Sequence, residues 1–355
     1  MQPVGDDAER AYPDRLAAIP GYLAVAAERH RAGAAAGRLP LAYLGRAAVA
    51  SLDRYLADPD PLRAPTLNGS RVAERERLLD GVVGKAFARY REVIDTELVP
   101  CGRPDEQPDL CWLPEGGAVY EALSRVHTTT ERTPDDLHRT GLALIEELAA
   151  EYVEIGSRVF GATTADEVRE RLRADPALRW ESPEEVLSTA RETVERAERA
   201  AAGWFRRVPA GRCAVQPVPD NEAPSVSAYY NRPALDGSRP GTYFANTYRA
   251  EEREKSQAVD MLSHTPMSEV DVHVEVDRYV EWPGQALSYM VGRLEIQRLR
   301  AGAERELGTA FDLAAFHDLV LTNGPLPLTV LAGVVENWAD RSVAAPRGQR
   351  RQGEQ

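Results

Sequence analysis

The chain has no H-E-x-x-H, no G-x-S-x-G, and neither glycine-rich phosphate loop, G-x-x-x-x-G-K or G-x-G-x-x-G. In H-E-x-x-H, two imidazoles on one helix face hold a zinc ion while the intervening glutamate activates its water. That device, the serine-hydrolase elbow and the nucleotide cradles are all missing as patterns. Cysteine is scarce. Cys101, Cys111 and Cys213 form an odd, sparse set without C-x-x-C, which argues against a disulfide framework and a zinc knuckle. Lysine is nearly absent, with Lys85 and Lys255 alone, so positive charge rests on arginine. The Ala-, Arg- and Gly-rich composition reads as a GC-rich bacterial genome rather than a functional demand for guanidinium groups. No apolar run reaches bilayer length, and the polar, acidic start MQPVGDDAERAYPDR lacks the apolar core of a signal peptide. A cytoplasmic protein without membrane association is expected.

What is present suits a folded, acidic chain. It has 355 residues, 43% hydrophobic and 28% charged, with a net charge of −13. Such a surface repels phosphate backbones, and no basic stripe interleaves with aromatics, so nucleic acid is not an expected partner. Helical periodicity runs over residues 14–32, interrupted at Pro20-Gly21, then over 41–56 and 71–98. On the third of these, Leu78, Val82, Val83, Phe87, Tyr90 and Val93 share a side. Residues 100–114 read as a loop. Thr133-Pro134-Asp135-Asp136 and Ser182-Pro183-Glu184-Glu185 are helix starts, the second a capping box, and a short helix over 166–173 lies between the helices they open.

The texture then changes. Residues 213–219, 225–231 and 241–248 carry Val, Tyr, Phe and Thr between turn clusters, which predicts a small antiparallel meander. Helices are expected again over 252–263, 268–280, 284–307, 313–322 and 327–340, with Gly308 and Asp312 as caps. The fold class is therefore mainly α with a small antiparallel β element around 213–248. Its parts are a flexible start over 1–13, one domain over 14–340 (helical over 14–205 and 252–340), and a disordered tail over 341–355.

Candidate chemistry is thin. No two of His30, His127, His138, His264, His273 and His317 are three or four apart. His264, His273 and Glu275 are the best remaining metal set, but His273 and Glu275 fall on different faces of a helix. His127 and Glu131 have i, i+4 spacing, but the threonines between them disfavour helix. The strands are richer: Tyr229, Tyr230, Arg232, Arg239, Tyr243, Asn246 and Tyr248 could line a peptide cleft, with arginine clamping a carboxylate. The competing reading is a structural hairpin with tyrosines packed on helices.

The segment RPALDGSRPGTYFANTY resembles a signature of the bacterial family catalogued as "domain of unknown function 885". LPEGGAVYEALSRVHTTTERTPDDLH, EVDRYVEWPGQALSYMVGRLEI and AERELGTAFDLAAFHDLVLTNGPLPLTVL agree, so the likeness covers roughly Ile19 to Trp338. The resemblance implies a helical, gluzincin-like zinc peptidase scaffold. Family members carry H-E-x-x-P-G-H-H after the N-T-Y strand and a carboxylate zinc ligand on a later E-G-W-A-x-Y helix. Here Asn246-Thr247-Tyr248 passes directly to a segment around Lys255–Leu262 that resembles one lying after both zinc motifs. The zinc ligands and general base are thus missing as one block, and no cofactor is expected. Tyr289 matches a family tyrosine placed to stabilise an oxyanion, and Gln285 beside it is carried over as substrate-binding. The resemblance implies a catalytically inactive member that keeps peptide binding. Its alternatives are a hydrolase whose zinc half is rebuilt or supplied by another chain, and a scaffold whose uncovered face binds a partner or a second copy.

Overall fold

A computed structural model describes residues 6–57, 61–224, 226–253 and 269–344. They gather into two compact units, one drawn from Met1–Gly117 and Pro219–Ser225, the other from Ala118–Val218 and Val226–Gln355. Among the described residues no helix is long and apolar enough to cross a membrane.

The first unit is helical. Helix α1 (Asp6–Ala35) begins inside the stretch expected to be flexible and passes through Pro13 and Pro20. Pro13, Leu16, Leu23 and Ala27 are its buried residues, so the apolar face stays in phase across the expected break. That packing outweighs the lost backbone bond at Pro20. The start is pinned by Arg71, which pairs with Asp6 at 2.7 Å and Glu9 at 3.3 Å. Helix α2 is Ala42–Leu56.

The expected long helix exists but is not uniformly α. Helices α3 (Ser70–Leu78) and α4 (Gly84–Val93) are each followed by a π-helical turn, Leu79–Val83 and Ile94–Leu98. Leu79 and Val83 bury against Leu16, and Ile94 and Leu98 bury against Val49. Val82, grouped with the apolar side by periodicity, is 48% exposed. A wide turn re-phases the residues after it, which a constant period cannot anticipate.

The second unit opens with α5 (Gly116–Thr128), a helix absent from the sequence-based expectation. It ends where Thr129 takes φ 52°, so His127 and Glu131 do not share a helix. Helix α6 (Pro134–Phe160) starts at the Thr133–Asp136 capping box and stops at Gly161, as its sequence suggests. Helices α7 (Ala165–Ala174) and α8 (Pro183–Ala201) follow. At α8, Ser182 accepts from the Glu185 amide, but Glu185 reaches back to the amide of Glu181 rather than Ser182.

The β element has three strands: β1 (Ala214–Pro217), β2 (Tyr229–Asn231) and β3 (Thr242–Ala245). It is mixed, not an antiparallel meander. β3 is central; β2 pairs with it antiparallel (Tyr229 opposite Phe244), whereas β1 pairs with it parallel (Ala214 opposite Thr242). β1 and β2 therefore lie on opposite sides of β3 and are not joined as a hairpin. One face of the sheet covers α8, where Trp180, Val186, Ala190, Ala245 and Ala250 bury together with Tyr243 against them.

Helices α9 (Glu269–Glu281), α10 (Leu287–Leu307), α11 (Leu313–Thr322) and α12 (Leu328–Ala344) complete the unit. Phe316 and Leu299 bury with Ala303, Leu331 and Val335 between the last three. Asp312 caps α11 through the Ala315 amide, as expected. Helix α12 runs to Ala344, past residue 340, the expected end of the domain. The helix expected over 252–263 falls almost wholly outside the described residues; Ala250–Glu252 is a 3-10 turn.

Candidate functional site

The tyrosine- and arginine-rich hairpin is largely occupied by its own backbone. Arg239 donates through Nη2 to the Arg232 carbonyl at 2.7 Å and through Nη1 to the Pro240 carbonyl at 3.4 Å. It ties the 232–240 loop. Asn246 is buried; its amide nitrogen donates to the Val226 carbonyl at 2.5 Å and its oxygen accepts from the Tyr248 amide at 2.8 Å. Tyr229 stacks on its cross-strand partner Phe244, ring centroids 4.8 Å apart. Tyr230 lies across Gly241, where a Cβ would sit 2.1 Å from its hydroxyl oxygen, so the ring would have to shift to admit a larger residue. Tyr243 packs on the α8 cluster, and burial pushes its phenol upward. Arg232 and Tyr248 remain exposed. Tyr229, Arg239, Tyr243 and Asn246 thus take part in the hairpin's own packing and hydrogen bonds.

Gln285 and Tyr289 are brought together elsewhere, at the corner where α9 turns into α10. The turn depends on Gly284, whose φ is +82° and whose Cα side faces α5, with a built Cβ 3.4 Å from the Ser124 amide. Arg278 is the centre of this corner. Its Nε and Nη2 engage Glu275, the shortest contact being 2.5 Å, and its Nη1 donates to Gln285 Oε1. The guanidinium lies 4.8 Å from the centre of the Tyr279 ring and 5.9 Å from that of Tyr289. Ser227, just ahead of β2, donates to Glu275 at 3.3 Å. Gln285 Nε2 stands 3.5 Å from the Tyr289 hydroxyl.

The electrostatics follow from this packing. Burial alone would raise the Glu275 carboxyl, but the hydrogen bonds and charge of Arg278, with bonds from Tyr279 and Ser227, outweigh it and hold the group below its ordinary value. Burial and the neighbouring Glu275 charge push the Tyr279 phenol up. Burial also raises Glu281, helped by the Asp277 charge.

Sequence reasoning singled out Gln285 and Tyr289 through a resemblance but passed over Arg278 and Tyr279. The signal was there: Glu275 and Arg278 are three apart on one predicted helix, a spacing that pairs opposite charges. Glu275 was considered only as a metal ligand, and its carboxylate is committed to Arg278 instead.

Among the described residues, no group of three His, Cys, Asp or Glu side chains is placed to hold a metal ion. His264 and the side chain of His273 lie outside them. After Tyr248, the backbone turns sharply at Arg249 (φ 52°) into the Ala250–Glu252 turn.

A family model described as "Bacterial protein of unknown function (DUF885)" matches residues 2–264 and 254–335. No curated protein matches the chain. The solved structure of the "putative lipoprotein" from Colwellia psychrerythraea superposes with a TM-score of 0.82 at 22% identity, covering 96% of this chain and 77% of that one. At that identity the likeness establishes the fold.

Proposed function

The chain belongs to the bacterial DUF885 family, and from that premise we propose that it is a non-hydrolytic member, one that binds peptides on a zinc-peptidase-like scaffold from which the zinc segment is missing. The observation that carries this reading is the form of the family match. It falls into two segments that meet at residues 254–264. That is where the sequence runs from Asn246-Thr247-Tyr248 straight to a segment resembling one beyond both zinc motifs. Without zinc there is no Lewis acid and no activated water, and tyrosine with arginine cannot replace either. No cofactor is therefore assigned.

The test is direct. The purified full chain, dialysed and analysed for metals, should hold no stoichiometric zinc, and a mixed peptide set should stay uncut with or without added zinc. Tightly held zinc with cleavage that a chelator abolishes overturns the proposal.

One observation favours a second reading, a scaffold that pairs with a copy of itself. Leu142, Ile145, Ile155 and Val159 on α6 are all about half exposed or more. Loss of covering helices would leave such a face. A mass above the monomer by light scattering, reduced to monomer by Ile145→Glu, would support pairing.

A further inference from the structure

We propose that the α9–α10 corner is a carboxylate site that takes the free C-terminal end of a peptide, held by Arg278, Gln285 and Tyr289. The proposal deepens the non-hydrolytic peptide-binding reading and rests on it. It starts from a count of donors and acceptors. Arg278 has only N–H donors, so the side-chain oxygen of Gln285 must face it and the amide nitrogen must face away. The orientation of the Gln285 amide is thus fixed by chemistry.

The acceptors that face Arg278 are engaged. Both Glu275 oxygens receive Arg278, and Gln285 Oε1 receives Nη1. The donors are not matched. The bonds to Glu275 and Gln285 use one N–H on each of Nε, Nη1 and Nη2, and each terminal nitrogen carries a second. The Tyr279 hydroxyl lies within reach of one of these. The amide nitrogen of Gln285 has a single contact among the described residues, the long one to the Tyr289 hydroxyl at 3.5 Å. That hydroxyl is itself a donor, on a side chain half exposed. A partly open surface that turns the second N–H groups of Arg278 and Gln285 and the Tyr289 hydroxyl outward is matched by an anion that accepts two or more bonds, which is what a carboxylate does.

The rings of Tyr279 and Tyr289 flank the guanidinium and are 47% and 50% exposed, giving an apolar side chain next to the carboxylate a surface to lie on. Glu275 does not forbid an anion. It neutralises the buried edge of the guanidinium, and it fixes the plane so that the remaining donors point in one direction. Glu275 is a positioning residue.

Isothermal titration of the full chain with N-acetyl-phenylalanine and with its amide tests the proposal. The free acid should bind about tenfold more tightly than the amide, since a charge-assisted bond is lost in the latter. Gln285→Glu keeps a carbonyl oxygen toward Arg278 and replaces the outward donor by an acceptor, so it should abolish the preference. Tyr289→Phe should weaken the acid several-fold, with an unchanged circular dichroism spectrum and urea midpoint as the folding control. Equal binding of acid and amide, no binding of either, or a preference that survives Gln285→Glu overturns the site. Chelator-sensitive peptide cleavage would overturn the non-hydrolytic reading but leave the acid-over-amide preference intact, so the two failures are distinguishable.

Discussion

The hairpin over residues 229–248 and the corner between α9 and α10 are built from the same residue types, tyrosine, arginine and a side-chain amide. In the hairpin, Arg239 and Asn246 bond to backbone groups. At the corner, Arg278 and Gln285 bond to side chains, and each keeps donors beyond those bonds. Loops and strand ends expose unpaired carbonyls and amides that recruit nearby side chains, whereas helix backbones satisfy themselves and leave side chains to one another.

The comparison can be broken or sharpened by measurement. The largest effect is expected for Arg278→Ala, which leaves the Glu275 carboxylate mostly covered and without its cation. It should cost about 2–3 kcal/mol in urea unfolding, below the figure for a fully buried pair because the arginine is partly exposed. Asn246→Ala strands the Val226 carbonyl and the Tyr248 amide and should cost roughly 1–2 kcal/mol, while leaving acid-over-amide binding at the corner unchanged. Gly284→Ala puts a side chain at φ +82° beside Ser124. Its cost should be about 1 kcal/mol from backbone strain. It should also weaken carboxylate binding by shifting Gln285, a combination that the hairpin substitution does not give.

A pH series isolates the charge at the corner. Glu275 has a folded-state value below its ordinary one, near 4.5, so the unfolded chain binds the proton more readily. Its contribution is complete above that ordinary value and is lost as pH falls through the folded value. The stability gap between the native chain and Glu275→Gln should therefore be constant near neutrality and close in acid. The smallest effect is expected for Arg239→Ala. Its exposed bonds to two loop carbonyls should be worth less than about 0.5 kcal/mol, with no change in binding of the free acid.

Much of the helical architecture was legible. The caps at Thr133, Ser182 and Asp312 are local chemistry, fixed by a side chain and an amide three residues on, and each is found where the sequence puts it. The continuity of α1 through Pro20 was not legible, because it depends on packing of Leu16 and Leu23 that no local rule contains. The π turns at 79–83 and 94–98 escaped for the same reason. The hairpin residues were recognised by type, but Arg239 and Asn246 differ from Arg278 and Gln285 only in what surrounds them.

The sequence by itself determined that this is a mainly helical, acidic chain of the DUF885 kind, because apolar periodicity, caps and family motifs are written locally or in order along the chain. Tertiary structure alone decided that β1 runs parallel to β3 and that Glu275, Arg278, Gln285 and Tyr289 meet at the α9–α10 corner. Those outcomes depend on which groups meet across many residues, and whether a donor is satisfied is a property of its neighbours in space.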